Sequence, residues 1–308
     1  MAGTRLLRRV SHFYRHLNYY EGEQFMPYER INGIRIYYEC HGDDNETRAI
    51  VLLHHGFGCT RIWKEIYPAL LDRGYRILMY DRRGYGQSEE GAGFMDFYVS
   101  ERFRSEGVKE MRALLDAMKI RRFHIIGQCE GGVVAADYAA RYPEQVESMV
   151  ISSTQCFSHV TMVEKNKLMF PKPFEELESA LKAKLMEWHG ERAEPFFDQF
   201  RRYGGAYGTG VFDLRPVLAS VRCPTLVLYP DRSAFFEVEQ GVAMYRALSK
   251  GELCVLPKCD HNTYQYQSNE YVRNCLDFFK RNGEPKSVVR GITDMSCVAV
   301  NPFQGMDN

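Results

Sequence analysis

The chain has 308 residues, 40 basic and 40 acidic side chains, and a formal net charge of zero. That balance leaves no electrostatic footprint for nucleic acid or an anionic membrane, and no apolar run approaches the ~18 residues that crossing a bilayer requires. The length admits one large α/β domain with an insertion, or two ordinary domains. Residues 1–27 open with Arg5, Arg8, Arg9 and Arg15 and carry no acid before Glu21. Leu6, Leu7, Val10, Phe13, Tyr14 and Leu17 fall on one helical face, which makes this stretch an amphipathic extension. Such a helix packs on its own domain or on a partner subunit. The alternatives are a surface-binding helix and a mitochondrial transit peptide.

From Tyr28 the pattern changes to alternation. Ile34, Ile36 and Tyr38 share one face of a strand, and Gly42 with Asp43, Asp44 and Asn45 supplies a turn. Ala49 to Leu53 is a continuous apolar run, the mark of a strand buried on both faces, and it stops at His54-His55-Gly56-Phe57-Gly58. A second such run, Tyr75 to Tyr80, leads into Asp81-Arg82-Arg83-Gly84-Tyr85-Gly86-Gln87-Ser88. Residues 101–118 read as a helix, Phe123 to Ile126 as the next strand, and Ser148 to Ser152 as another. Strands alternating with helices predict a mostly parallel sheet. Beyond Arg281, residues 284–308 lack periodicity and are expected to be irregular.

The strand at 123–126 ends in Gly127-Gln128-Cys129-Glu130-Gly131-Gly132, followed at helical spacing by Val133, Val134, Ala136, Tyr138 and Ala139. This is the context of the G-x-S-x-G nucleophile elbow, with Cys129 in the place of serine. The turn is strained and its flanks must be small, which Gly127 and Gly131 satisfy. A helix starting just after Cys129 aims free N–H groups and a positive dipole end at the sulfur, and both favour thiolate over thiol. The competing reading is a structural cysteine beside two glycines. Nine cysteines, at 40, 59, 129, 156, 223, 254, 259, 275 and 297, form no C-x-x-C pair. With no secretory signal read at the start, a reducing compartment with mostly free thiols is expected.

His55-Gly56, the run at 81–88, G-x-C-x-G-G at 127–132, Cys223-Pro224-Thr225-Leu226-Val227-Leu228 and Leu256-Pro257-Lys258-Cys259-Asp260-His261 follow one another in an order that resembles the α/β-hydrolase superfamily. The resemblance covers about residues 28–282. Within the superfamily the chain looks most like meta-cleavage (carbon–carbon) hydrolases, epoxide hydrolases and small esterases. It implies an α/β-hydrolase fold, a mostly parallel sheet flanked by helices, with a core at 28–154 and 216–283. Residues 155–215 fit the helical cap that such proteins insert over the site. Glu175 to Trp188 has helical spacing, and Phe196, Phe197, Phe200 and Tyr203 add aromatic bulk that either glues the cap down or lines the site. Gly204-Gly205-Ala206-Tyr207-Gly208 reads as a hinge or lid turn.

Acyl chemistry needs a nucleophile, a base beside it and donors for the oxyanion. Cys129 is the candidate nucleophile. His261 follows the strand Leu253 to Leu256, where the superfamily keeps its catalytic histidine. The expected donors are the backbone N–H groups of Phe57 and Glu130. His12, His16, His41, His124, His159 and His189 have no such context, and His54 and His55 are expected to shape the oxyanion loop. The Asp81–Ser88 run reads as structure. In the family the triad acid closes a G-x-x-D after the strand at 225–228; here those positions are Pro230 and Ser233, and Asp231 lies two residues early. Either a re-registered loop brings Asp231 to His261, which a buried imidazolium favours, or Ser233 orients the ring and no carboxylate takes part. A thiol, with an ordinary pKa of about 8.5, tolerates the second arrangement better than a serine does. Glu130 points outward in an ion pair, pairs with Arg82 or Arg83, or meets the substrate.

The resemblance and the residues together imply a cofactor-independent cysteine hydrolase, using no metal. It would act on an ester, thioester or activated ketone through a thioacyl-enzyme intermediate. Polyhydroxyalkanoate synthases share this elbow, so acyl transfer is an alternative, although their chains are longer and their histidine and acid contexts differ. A non-catalytic binding module on a degenerate scaffold is the third reading, motivated by the missing acid at 233. The expected partner is a small-molecule substrate with an apolar or aromatic acyl part, with a homodimer as the protein alternative. A cytoplasmic location follows from the free thiols, or the mitochondrial matrix if the Arg-rich start is a transit peptide.

Overall fold

Each apolar run read as a strand forms one, in a computed structural model that describes residues 27–44, 46 and 48–283. The expected extension up to residue 26 and the expected tail at 284–308 lie outside the described residues, as does Asn45 of the turn. In chain order the strands are β1 (Tyr28–Ile31), β2 (Ile34–His41), β3 (Ala49–Leu53), β4 (Arg76–Tyr80), β5 (Phe123–Gln128), β6 (Val146–Ser152), β7 (Phe157–Thr161), β8 (Val211–Asp213), β9 (Thr225–Pro230) and β10 (Gly251–Leu256). Eight of them form one sheet in the order β1-β2-β4-β3-β5-β6-β9-β10. From β4 to β10 the pairs are parallel, and β1 and β2 are antiparallel additions at one edge.

Alternation along β3 explains why the run had to be wholly apolar. Val51 and Leu53 pack into the cluster beneath the helices Arg102–Ala117 and Glu130–Arg141. Ile50 and Leu52 face the opposite cluster, with Leu70, Tyr271 and Phe278 from the helices Tyr67–Leu71 and Ser268–Gly283. A strand with helices on both faces has no solvent side, so each such residue contributes about 1.5–3 kcal/mol by burial.

Register brings the chemistry to one edge. Leu53 stands opposite Gly127, Gln128 opposite Ser152, and Ser152 opposite Leu228. The loops that follow β3, β5, β6 and β9 therefore emerge together at the carboxyl ends, where open parallel sheets place their ligands.

The segment between β6 and β9, called the cap below, is tied at its base by antiparallel β7 and β8. Its helices are Met162–Met169, Ser179–His189 and Ala193–Tyr203. The first starts in a reciprocal capping box between Thr161 and Glu164. The third buries Ala193, Phe196, Phe197 and Phe200 on one face and stops at Gly204, whose φ of 75° ends the helix.

Candidate functional site

Cys129 sits between β5 and the helix Glu130–Arg141 with φ at 52°, a left-handed value that a side-chain-bearing residue adopts at a cost. The turn is held by its own backbone, the Cys129 N–H donating to Ser152 O at 2.7 Å and Thr154 Oγ1 donating to Cys129 O at 2.8 Å. A Cβ at Gly127 would fall 2.5 Å from Gly131 O, and one at Gly131 would collide with Leu53 O. Only glycine fits either place.

His261 reaches the same cavity from the loop after β10. Gln128 holds its backbone, Nε2 donating to His261 O at 2.9 Å, and Gln128 is itself held by Thr263 Oγ1, which donates to its Oε1 at 3.2 Å. Gln128, a residue of the elbow itself, thus ties the nucleophile's turn to the histidine loop. Phe235 and Phe236 stand edge-on to the imidazole at 4.7 and 5.4 Å.

At the third position the hydroxyl of Ser233 lies 3.1 Å from His261 Nδ1. Asp231, the reading that the sequence favoured, does not meet the ring. Its carboxylate accepts the Cys259 N–H at 3.0 Å and faces Arg232 at 3.5 Å. The reason is local. Asp231 follows directly on β9, whose last pairs with β10 hold it against the turn at 258–259. Asp260 does not replace it, since its Oδ1 accepts the N–H groups of Ala234 and His261.

The oxyanion loop also differs from expectation. His55 Nδ1 accepts the Phe57 N–H at 3.2 Å, and His55 Nε2 lies 3.2 Å from the Tyr264 hydroxyl. With the Phe57 amide so engaged, the amides that face the sulfur are those of Glu130 and Gly56. The two adjacent histidines explain the shift, because His55 folds forward onto the amide two residues on. His54 meanwhile lies against its neighbour's carbonyl and the Arg82 amide.

Glu130 is fully buried and paired. Its carboxylate accepts from Arg82 Nη2 at 2.9 Å, from the Tyr85 hydroxyl at 3.0 Å, and from the Ala206 N–H of the cap. Arg82 also donates to the carbonyls of His54 and His55 at 3.2 and 3.4 Å. So the run at 81–88 is structural, as read, and it braces the elbow and the oxyanion loop together. Of the three readings of Glu130, pairing with Arg82 is the one observed, and it happens in the interior.

The cavity over Cys129 has a volume of about 390 Å³. Phe57, Phe170, Phe197, Phe200, Phe236 and Trp188 supply much of its wall. The cap aromatics divide their work: Phe197 and Phe200 line the cavity, while Phe196 stacks on His189 at 4.0 Å. His189, passed over in the sequence, bolts cap to core. Its Nε2 bonds Phe57 O at 2.9 Å and its Nδ1 accepts the Gly86 N–H at 3.0 Å.

Electrostatics reverse one expectation. Burial pushes the Cys129 thiol up to about 11, and the hydrogen bonds from Tyr207 and from the Glu130 and Gly56 amides do not offset it. Burial likewise pushes His261 down to about 4, with Asp260 pulling weakly the other way. The resting pair is therefore neutral thiol and neutral imidazole, not thiolate and imidazolium. The hydrogen bonds to the sulfur lower the thiol, as read, but desolvation is the larger effect.

Among the described residues no group of three or more His, Cys, Asp or Glu is placed to hold a metal ion. No described helix is long and apolar enough to cross a membrane.

This sheet order, with an elbow after β5 and a histidine after the last strand, defines a protein of the alpha/beta hydrolase fold. Residues 48–186 match the family described by that name. The chain is 32% identical over 155 residues to a proline iminopeptidase of Lactobacillus helveticus, covering 50% of this chain and 51% of that protein. It thus spans about half the length of that relative. To a 2-hydroxy-6-oxo-6-phenylhexa-2,4-dienoate hydrolase of Comamonas testosteroni it is 22% identical over 267 residues, covering 78% and 91% of the two chains. Among solved structures, an enol-lactonase from Burkholderia xenovorans LB400 matches with TM-score 0.65 at 20% identity, over 82% of this chain and 100% of that one. A meta-cleavage product hydrolase from Pseudomonas fluorescens IP01 does so with TM-score 0.65 at 19% identity, over 82% and 97%. Of the groups that the sequence was read as resembling, meta-cleavage hydrolases are among these relatives.

Proposed function

We propose that the protein is a hydrolase that opens an ester, thioester or activated ketone by covalent catalysis through Cys129. The observation that carries this is the strained Cys129 at a helix N-terminus, sharing an apolar cavity with a histidine whose far nitrogen is held by Ser233. A binding module has no use for that strain.

In the first step Sγ attacks the carbonyl carbon while its proton passes to His261 Nε2. The π electrons move to oxygen, and the oxyanion is met by the amides of Gly56 and Glu130. Collapse expels the leaving group, which takes the proton from His261 and leaves a thioester on Cys129. Water, deprotonated by the same imidazole, then attacks that thioester and releases acid and thiol. Because both groups rest neutral, proton transfer accompanies attack instead of preceding it. Ser233 orients the imidazole and supplies no charge.

The aromatic wall of the cavity favours an apolar or aromatic acyl part. Acyl transfer differs only in the second acceptor, an alcohol or thiol in place of water. The test is stopped-flow with chromogenic aryl esters. A burst of phenol, stoichiometric with enzyme and abolished by Cys129→Ala, supports the covalent route. Turnover without a burst that survives Cys129→Ala overturns it. Added alcohols that divert product to ester would show transfer.

A further inference from the structure

The loop after the last cap helix carries a tyrosine to the nucleophile. Tyr207 Oη lies 3.4 Å from Cys129 Sγ, and the Gln155 N–H donates to the same oxygen at 3.4 Å. An oxygen that accepts from an amide keeps its own hydrogen free for another acceptor, and the sulfur is the group within reach. While the sulfur carries its proton, either atom of the pair can donate. Once that proton has left, only the direction from Oη to sulfur remains.

The placement is built, not incidental. Gly204, Gly205 and Gly208 all hold left-handed φ, at 75°, 57° and 71°, and so bend the chain tightly around Ala206 and Tyr207. The Glu130 carboxylate accepts the Ala206 N–H, and a Cβ on Gly205 would collide with Glu130 Oε1. Arg82 and Tyr85 hold that carboxylate from the other side. Phe212 and Phe236 stand edge-on to the Tyr207 ring at 5.0 and 6.1 Å. The residue after the nucleophile therefore does two things. Its amide faces the sulfur and its side chain latches the loop that brings the phenol.

We propose that Tyr207 is a catalytic residue of this site: its hydroxyl donates a hydrogen bond to the Cys129 sulfur whenever that sulfur bears negative charge. Glu130, acting through Ala206, is a positioning residue for it. The reading rests on Cys129 as nucleophile. Negative charge reaches the sulfur twice, as the thiol loses its proton to His261 in attack, and as the carbon–sulfur bond breaks in hydrolysis of the thioester. Tyr207 keeps its proton throughout and forms no covalent bond, so no further reactant enters. Burial holds the phenol well above its ordinary range, which keeps it a donor at every working pH.

The experiment is alkylation of folded protein by iodoacetamide at pH 9, with the Cys129 peptide followed by mass spectrometry. In Tyr207→Phe the thiolate loses its donor, so the Cys129 rate should fall about tenfold, and the midpoint of the rate–pH profile should move upward. A tyrosine that merely packs predicts the opposite sign, because a loosened cap admits the reagent faster. An unchanged or faster rate in Tyr207→Phe overturns the proposal. Gly205→Ala, which pushes the loop off Glu130, should slow Cys129 in the same way, and an unchanged rate there would contradict the latch. If esters leave no thioacyl group on wild-type Cys129, the hydrolase reading fails, yet the alkylation rates still decide whether Tyr207 serves the sulfur.

Discussion

Ser233 Oγ lies 3.1 Å from His261 Nδ1 and also accepts the N–H groups of Phe235 and Phe236 at 3.2 Å each. A triad carboxylate accepts only, and so forces the ring to carry its proton on Nδ1. A hydroxyl can donate as well as accept, so Ser233, unlike a carboxylate, does not force the ring into that tautomer. The site therefore has an orienting group for its imidazole and no counter-ion.

One consequence ranks two variants. Ser233→Ala removes a neutral hydrogen bond of about 1 kcal/mol, so kcat/KM should fall about five- to tenfold. Asp231→Asn should change kcat/KM less and show mainly in thermal stability, since that carboxylate anchors the Cys259 amide. Steady-state rates and melting curves of the two variants check this. A larger kinetic loss in Asp231→Asn would place Asp231 on the imidazole during turnover.

Installing the acid should help. In Ser233→Asp a carboxylate would face Nδ1, select the tautomer with a basic Nε2 and raise His261 from its depressed value near 4. We expect kcat/KM to rise, on the order of tenfold, and the acid limb of its pH profile to move upward. A loss of activity in a folded variant would show that the ring already has its counter-ion.

The pair of buried charges beside the nucleophile should dominate stability. Glu130→Ala leaves Arg82 charged in the interior, where its Nε and Nη1 already lack partners among the described residues. The expected cost is about 3–5 kcal/mol by urea unfolding. Replacing both partners with apolar residues should recover much of it, and a cost below 1 kcal/mol for the single change would mean that Glu130 is solvated.

Acid should unfold the protein early. Burial holds His54 and His55 well below the ordinary imidazole range, and His124, His189 and His261 down at about 4. Each gains a proton on unfolding below about pH 6.5. Asp81 and Glu110 oppose them, raised by burial to about 6 and about 7, and release protons on unfolding. Five uptakes exceed two releases, so between about pH 6 and 4.5 stability falls as pH falls, by up to about 4 kcal/mol per unit. Urea midpoints measured across that range check the sign, and a flat profile would mean that the imidazoles are charged in the fold.

What was legible in the sequence followed from how local the signal is. The elbow could be read because strand, glycine, cysteine and glycine pair lie within ten residues and their constraints are steric. The sheet could be read because β3, β4 and β5 are apolar on both faces. Ser233 and Asp231 stayed open because a shift of two residues in one loop decides between them. Glu130 stayed open among three readings because a carboxylate is normally solvated, and nothing local decides whether it reaches Arg82, 48 positions earlier, in the interior. Tyr207 was visible only as part of a glycine-rich turn; its hydroxyl meets a sulfur 78 residues away. The thiol's acidity was given the wrong sign for the same reason. The helix dipole is local, whereas desolvation belongs to the assembled cap.

The central claim is that Cys129 carries the acyl group. The most direct measurement is acid-quenched peptide mass spectrometry after brief incubation with a panel of aryl esters and acyl thioesters. We expect the Cys129 peptide to gain the mass of the acyl part, the gain to disappear in Cys129→Ala, and His261→Ala to slow its formation by orders of magnitude. Hydrolysis that continues at the wild-type rate in Cys129→Ala, or an acyl group found on another residue in its place, would contradict the account.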